Sequence, residues 1–201
     1  MRIAVSDLLF PGFRKFGIRP LNTEYGIEFF YEFGHDYYWD EETAVWGNRE
    51  FSIHGPCVAV DSADKDNLNY LPAFEATFKY AQKIKAQFVV VHTNECLPAD
   101  IKAGQELVIS RLAELLDMAK DYGVTLVIEN VGLRTKGNVL FTLEEYYALF
   151  ERFPQAMSLI DTGHAHVNGW DIPAVVEKLG DKLFAFHIHD NDGEGDDHLP
   201  V

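Results

Sequence analysis

At 201 residues, 47% hydrophobic and 24% charged, the chain has the size and composition of an ordinary soluble globular protein. Its formal net charge of −15, from 17 basic against 32 acidic residues, repels phosphate backbones, so we expect no nucleic-acid partner. No apolar run reaches the roughly 18 residues of a membrane helix, and residues 1–6 lack a signal-peptide layout. The presence of only two cysteines indicates a reducing compartment. Together these features predict a cytoplasmic protein with no membrane partner.

The first quarter of the chain alternates short apolar stretches with turn residues. Residues 2–6, 26–33 and 51–54 are predicted strands, because they are rich in β-branched and aromatic residues. The loop between the first two strands carries turn signals such as Pro11-Gly12. Asp40 is the predicted N-cap of a helix that ends at Trp46, with two glutamates in its first turn.

From residue 67 onwards, helices and strands alternate regularly. Apolar residues at helical spacing predict helices over 67–86, 103–122, 142–153 and 172–179, the third opened by a capping box. Short apolar runs between them predict strands over 88–92, 125–130, 157–160 and 183–189. Strands that alternate with helices in this way form a parallel sheet covered by helices. We therefore expect one domain over residues 1–201, either a barrel or an open doubly wound sheet.

Polar side chains stand where the later strands end. They are His54, His92, Glu129, Asp161 with His164, and His187 with His189. In a closed barrel the carboxyl ends of the strands converge on one mouth, where such barrels hold their active sites, whereas in an open sheet only two or three could meet. Carboxylates mixed with imidazoles suit Mn²⁺, Mg²⁺, Co²⁺ or Zn²⁺. Taken singly, each residue also has a structural interpretation: Asp161 as a helix cap, and each histidine as a satisfied or solvated side chain.

These strand ends carry motifs that resemble those of the xylose isomerase-like barrel superfamily. The motifs are His54-Gly-Pro, Val91-His92, Ile128-Glu129-Asn130, Asp161-Thr-Gly-His164 and His187-Ile-His-Asp190. The superfamily contains sugar isomerases and epimerases, inosose-processing enzymes and zinc apurinic endonucleases, and the resemblance covers about residues 52–200. It implies a (β/α)8 TIM barrel. Because the sequence stops at Val201, we expect the barrel to be truncated before strand eight.

The resemblance also implies a metal site. Glu129, Asp161 and His187 resemble three of the four ligands that hold one divalent ion, whether Mn, Mg, Co or Zn. The fourth ligand of the family is a glutamate of the eighth strand that also acts as a base, so we expect this site to be one carboxylate short. The activity that follows is isomerisation or epimerisation of a sugar, sugar phosphate or polyol, by proton transfer through a metal-bound enediolate.

Histidines are expected to surround the substrate. His164 resembles the histidine beside the substrate hydroxyls, and we expect it to be catalytic together with Glu129. His54, His92 and His189 are expected to bind substrate at the same mouth, with His189 supporting His164. The expected ligand is therefore a small sugar or polyol.

Three other functions stay open. Asp196 and His198 resemble ligands of additional zinc ions in the endonuclease branch, although the acidic tract at 190–198 is also typical of a solvated loop. A zinc-dependent hydrolase of abasic DNA needs a basic surface, which the net charge of −15 opposes. A lyase that removes water from a keto-polyol is chemically close to the epimerase. A barrel lacking its last carboxylate also fits a non-catalytic sugar-binding module, or one completed by association into a homo-oligomer.

Overall fold

A computed structural model describes residues 2–9, 17–32, 35–199 and 201 of the chain. The predicted turn at Pro11-Gly12, the end of the predicted second strand at Phe33, and Pro200 lie outside these residues. Seven strands pair in chain order into one sheet, and every pairing is parallel. They are β1 Ala4–Ser6, β2 Gly26–Phe30, β3 Phe51–His54, β4 Val89–Val91, β5 Leu126–Glu129, β6 Met157–Asp161 and β7 Leu183–His187.

Helices connect most of these strands. They are α1 Asp36–Trp46, α2 Tyr70–Ile84, α3 Ile101–Tyr122, α4 Leu143–Arg152, α5 Thr162–Val167 and α6 Ile172–Leu179. The predicted capping box opens α4, since Oε2 of Glu145 accepts the backbone N–H of Thr142 at 2.8 Å. Helix α3 ends at Tyr122, and the next residue, Gly123, takes a φ of 68°, which glycine adopts at little cost.

Two features of the predicted helices differ in the structure. Helix α1 begins at Asp36 with His35 before it, so Asp40 is not its cap. The carboxylate of Asp40 is instead engaged by Nζ of Lys83 at 2.7 Å and the hydroxyl of Tyr80 at 3.2 Å, contacts that depend on tertiary packing. The short helix α5, directly after β6, was indicated only by the interpretation of Asp161 as a helix cap, because six residues are too few to show a helical period.

The contact between Glu28 of β2 and His187 of β7 decides between a barrel and an open sheet. In a flat sheet five strand spacings would separate β2 from β7 by about 24 Å. The two side chains are 2.7 Å apart, so the sheet curls until its ends face each other. The TIM-barrel fold is thus confirmed, with seven parallel strands and no eighth strand among the described residues.

The two faces of the curled sheet have different surroundings. The outer face packs against the helices through fully buried residues such as Phe78 and Leu112. On the inner face, Val90, Val127 and Leu159 form a small apolar layer of their own, below the polar strand ends. In the part of the chain that the structure describes, no helix combines the length and apolar character needed to cross a membrane.

Candidate metal centre

The strand register brings the polar strand ends to the inner face of the barrel. Glu129 pairs with Leu159, a residue of the inner apolar layer, so its side chain shares that face. Two residues further along β6, Asp161 lies on the same face and pairs with His187 of β7. His54 pairs with Val90, another residue of that layer. The alternation of the strands alone therefore aims these side chains at one mouth.

Glu129 is the centre of this arrangement and is almost fully buried. Its Oε2 lies 3.1 Å from Nε2 of His92 and 3.5 Å from Nε2 of His54. Its Oε1 lies 3.4 Å from Nδ1 of His187. One carboxylate is thus enclosed by the imidazoles of three different strand ends.

Asp161 caps a helix and also faces the mouth of the barrel. Its Oδ1 accepts the backbone N–H of His164 at 2.7 Å and caps helix α5. Its Oδ2 lies 4.0 Å from Nδ1 of His187, and both oxygens lie 3.0 Å from Nε2 of His189. Because capping engages one oxygen, the other remains turned towards the mouth. His189 contacts Asp161 directly through these hydrogen bonds, whereas the centroid of its ring lies 6.2 Å from that of His164.

Backbone carbonyls orient two of the histidines. Nδ1 of His54 lies 2.9 Å from the carbonyl of the next residue, and Nδ1 of His164 lies 3.0 Å from the carbonyl of Asn130. A carbonyl oxygen only accepts, so each ring carries a proton on Nδ1 and donates it there. Both rings consequently present Nε2 to the mouth.

The cluster is an electrostatic network of alternating carboxylates and imidazoles. Burial opposes ionisation of Glu129, but His187 and His92 hold its pKa well below the usual value. Burial also disfavours protonated His92, yet Glu129 and Glu95 outweigh this and raise its pKa to about 10. In His187 the pKa is raised against burial by Glu28 and Glu129. Positive charge is therefore favoured among these carboxylates, and a divalent cation can supply it in place of protons.

Glu129, Asp161 and His187 fit a divalent metal ion, and we call them the inner cluster. One ligand atom from each lies within 4.8 Å of the others. Ligands held tetrahedrally at about 2.1 Å from an ion are about 3.4 Å apart, and Nδ1 of His187 is 3.4 Å from Oε1 of Glu129 and 4.0 Å from Oδ2 of Asp161. Three protein ligands leave a coordination position for water or substrate.

A second group, the outer cluster of His189, Asp196 and His198, lies beside the first. Oδ1 of Asp196 is 3.4 Å from Nε2 of His198 and 3.6 Å from Nε2 of His189. The rings of these two histidines stack with centroids 4.2 Å apart. Oδ2 of Asp196 is 3.4 Å from Nε2 of His164, which joins the outer cluster to the mouth.

The acidic tract that carries the outer cluster is folded against the barrel. Asp190 and Leu199 exchange two backbone hydrogen bonds of 2.9 and 2.8 Å in an antiparallel bridge. Partial burial raises the pKa of Asp196, but His164 and His198 reverse this and lower it far below its usual value. Burial disfavours protonated His164, and Asp196 with Asp161 raises its pKa to about 9. These contacts hold the tract against the mouth of the barrel.

Sequence reasoning missed three residues at the mouth. Cys57 forms a third ligand group with His54 and His92, and burial, with Glu95 nearby, raises the pKa of its thiol far above the usual value. Glu95 lies 2.6 Å from Nδ1 of His92. Glu28 hydrogen-bonds to His187 from the other end of the sheet. A signal was available for Glu28, since a lone acidic residue inside an apolar strand is rare without a partner.

Comparison with known proteins identifies the family of this chain. The family model described as xylose isomerase-like TIM barrel matches residues 41–201. The chain belongs to this family. Among curated proteins of similar sequence, an uncharacterized protein of Methanocaldococcus jannaschii is 28% identical over 122 residues, which are 60% of this chain and 47% of that protein. A fructoselysine 3-epimerase of Escherichia coli O157:H7 is 26% identical over 122 residues, 59% of this chain and 44% of that protein. This xylose isomerase-like chain thus matches less than half the length of these relatives.

Solved structures share the fold at low sequence identity. A D-tagatose 3-epimerase-like protein superposes with a TM-score of 0.77 at 21% identity, covering 99% of this chain and 80% of that one. A D-psicose 3-epimerase solved in the presence of D-fructose gives 0.73 at 17% identity, covering 94% and 73%. A family 2 AP endonuclease from Brucella melitensis gives 0.68 at 18% identity, covering 82% and 68%. At these identities the likeness establishes the xylose isomerase-like barrel fold.

Proposed function

We propose that this chain forms the catalytic barrel of a divalent-metal-dependent epimerase or isomerase whose substrate is a sugar, a sugar phosphate or a polyol. The observation that carries the proposal is the convergence of Glu129, Asp161 and His187 on one point of the mouth, beside Nδ1 of His164. The names of the similar proteins support the same class, since a fructoselysine 3-epimerase and a D-psicose 3-epimerase are among them.

The inner cluster would hold the ion. Two carboxylates and one imidazole are a donor set for Mn²⁺, Co²⁺ or Zn²⁺, and Mg²⁺ is favoured less because of the nitrogen ligand. When bound, such an ion supplies Lewis-acid polarisation of a substrate carbonyl, which acidifies the neighbouring C–H bond. The buried position of Glu129 and Asp161 excludes competing water from most of their surface.

Glu129 is the proposed acid/base group. Its pKa is held low by the surrounding histidines, so it is ionised and able to accept the proton from the carbon next to a carbonyl. The carboxylate can hold this proton and return it to the neighbouring carbon, and the hydroxyl proton passes to the former carbonyl oxygen, which isomerises the sugar. Epimerisation requires a second group on the opposite face, and the family resemblance assigns that role to a carboxylate of an eighth strand.

His164 is the proposed substrate-orienting residue of the mouth. Its Nδ1 is anchored on the carbonyl of Asn130, so its Nε2 can hold a substrate oxygen at a defined place. His54 and His92 lie beside Oε2 of Glu129, and His189 contacts Asp161. We assign these three residues to the binding of the remaining sugar hydroxyls.

Exchange of a carbon-bound proton tests the proposal. The protein is stripped with a chelator, reloaded with Mn²⁺, Co²⁺ or Zn²⁺, and incubated in D₂O with fructoselysine and a panel of ketohexoses. We expect ¹H NMR to show loss of the proton next to the carbonyl in the reloaded sample only. Glu129→Gln should slow the exchange about 10²- to 10⁴-fold when it is measured at a metal concentration that saturates the variant. Full exchange in the stripped sample contradicts the proposal.

A second candidate is a multi-metal phosphodiester hydrolase. It is favoured by the two further ligand groups, His54–Cys57–His92 and the outer cluster, which flank the inner cluster. The net charge of −15 opposes a nucleic-acid substrate. Two or more zinc ions per chain, together with cleavage of an abasic duplex, would favour this candidate. Sugar binding by the metal-loaded protein with no proton exchange would instead indicate a non-catalytic sugar-binding module.

A further inference from the structure

Glu28 is a buried acidic residue in the middle of an apolar strand. It is 6% exposed, and its neighbours Ile27 and Phe29 are fully buried. The register of β2 places Glu28 opposite Ser52. Phe30, two residues further along β2, pairs with His54 of the inner face, so the side chain of Glu28 lies on the same face. A carboxylate buried in this way is unfavourable unless each oxygen has a partner.

Both oxygens of Glu28 are engaged. Oε2 accepts a hydrogen bond of 2.9 Å from the hydroxyl of Ser52. Oε1 lies 2.7 Å from Nε2 of His187, which approaches from the far end of the sheet. These two hydrogen bonds hold the carboxylate in a defined orientation.

This contact selects the nitrogen that His187 offers to the mouth. With a carboxylate oxygen as the acceptor of this hydrogen bond, the ring donates from Nε2. Nδ1 is then the nitrogen that remains for a metal ion, and it is the atom that faces Oε1 of Glu129 at 3.4 Å and Oδ2 of Asp161 at 4.0 Å. By contrast, His54 and His164 donate from Nδ1 to backbone carbonyls.

We propose that Glu28 is a positioning residue of the metal centre, which holds His187 with Nδ1 towards the ion and increases the basicity of that nitrogen. Ser52 in turn orients Glu28. The inference rests on the proposed function, because it takes His187 to be a metal ligand. The competing explanation is that the bond only ties β2 to β7 across the inner face, with no effect on metal binding.

Replacement of Glu28 by glutamine tests this role with little change of shape. The amide oxygen can still accept from His187 and the amide group can donate to Ser52, but the negative charge is lost. We expect Glu28→Gln to weaken Co²⁺ binding about 10- to 100-fold, as is typical for partners of metal-bound histidines. The measurement is a Co²⁺ titration in competition with a chelator, together with the Co²⁺ d–d absorption spectrum, which should shift.

The matched control is Glu42→Gln. Glu42 is a glutamate with 2% exposure on the outer helix α1, and its replacement should leave the Co²⁺ affinity and spectrum unchanged. If Glu28→Gln binds Co²⁺ with the affinity and spectrum of the wild type, the positioning role is wrong even if the melting temperature falls. If the wild type itself binds no Co²⁺, the proposed function fails first, so the two failures are distinguishable.

A measurement on the wild type covers the case in which Glu28→Gln does not fold. Protein with ¹⁵N-labelled histidine is loaded with Zn²⁺, and the nitrogens of His187 are identified by their loss in His187→Gln. We expect a protonated, hydrogen-bonded Nε2 and a zinc-bound Nδ1. A zinc-bound Nε2 in His187 would overturn the inference.

Discussion

The inner and outer clusters use the same side-chain chemistry on different supports. Glu129, Asp161 and His187 each stand on a strand that is hydrogen-bonded in register to its neighbour. Asp196 and His198 stand on an irregular segment that is closed by one bridge between Asp190 and Leu199. A ligand set on strand ends is positioned by the backbone ladder, whereas a set on a loop depends on its own mutual contacts. We therefore expect the inner cluster to keep its geometry when the outer cluster is removed, whereas the outer cluster should lose its geometry when the inner cluster is removed.

The largest expected difference between the clusters is in metal affinity. Asp161→Asn keeps a good helix cap but removes a ligand charge, so we expect Co²⁺ affinity to fall by more than the roughly 100-fold that loss of an outer partner causes. Asp196→Asn is the matched variant of the outer cluster, and it should lower the affinity by less than about tenfold. Chelator-competition titration measures both. Equal losses would show that the two clusters form one site.

Gly163→Ala attacks the contact between the clusters. A Cβ at this position would lie 2.0 Å from Cε1 of His189, so the ring must leave Asp161 and its stack on His198. We expect a loss of about 1–3 kcal/mol in the free energy of unfolding, as overpacking usually costs. Urea denaturation measures this. Inner-cluster binding of Co²⁺ should survive, and its loss would mean that His189 is needed to hold Asp161.

Tyr146→Phe probes the strand support of the inner cluster, with a smaller expected effect. The buried hydroxyl donates to the carbonyls of Ile128 and Leu159 at 2.8 and 3.0 Å and lies 2.7 Å from Oγ of Ser158. It therefore links β5 to β6 just below Glu129 and Asp161. We expect a loss of about 1–2 kcal/mol in the free energy of unfolding.

The matched control for that variant is Tyr147→Phe, at the next position of α4. Tyr147 is only partly buried, so its replacement should change the free energy of unfolding by less than about 0.5 kcal/mol. Equal effects in the two variants would show that the hydroxyl of Tyr146 does not stabilise the β5–β6 pair.

The strand-end rule predicted that the polar side chains near the ends of the later strands meet at one mouth, because the carboxyl ends of parallel strands meet at one edge. The family resemblance then selected Glu129, Asp161 and His187 among them as the ligand set. The strand over 51–54 agrees with the structure, and the other observed strands lie within their predicted ranges, with one exception. The sixth strand extends one residue further, to Asp161, while the second ends at Phe30, short of the predicted end at Phe33, which lies outside the described residues. Local pattern therefore carried most of the architecture.

The remaining features depend on contacts between distant parts of the chain. The predicted cap of α1 was wrong because Asp40 pairs with Lys83 of α2, a contact that no local pattern reveals. Glu28 meets His187 only after the sheet has curled. The outer cluster depends on whether the acidic tract closes on itself, and the Asp190–Leu199 bridge that closes it carries no sequence signature.

Anomalous diffraction from crystals grown with Zn²⁺ or Mn²⁺ tests the central claim most directly. The account predicts a strong anomalous peak bonded to Glu129, Asp161 and Nδ1 of His187, at about 2.0–2.2 Å from each ligand atom for zinc. The account is contradicted if crystals grown with saturating metal show no peak at this point, or show a peak only at the outer cluster.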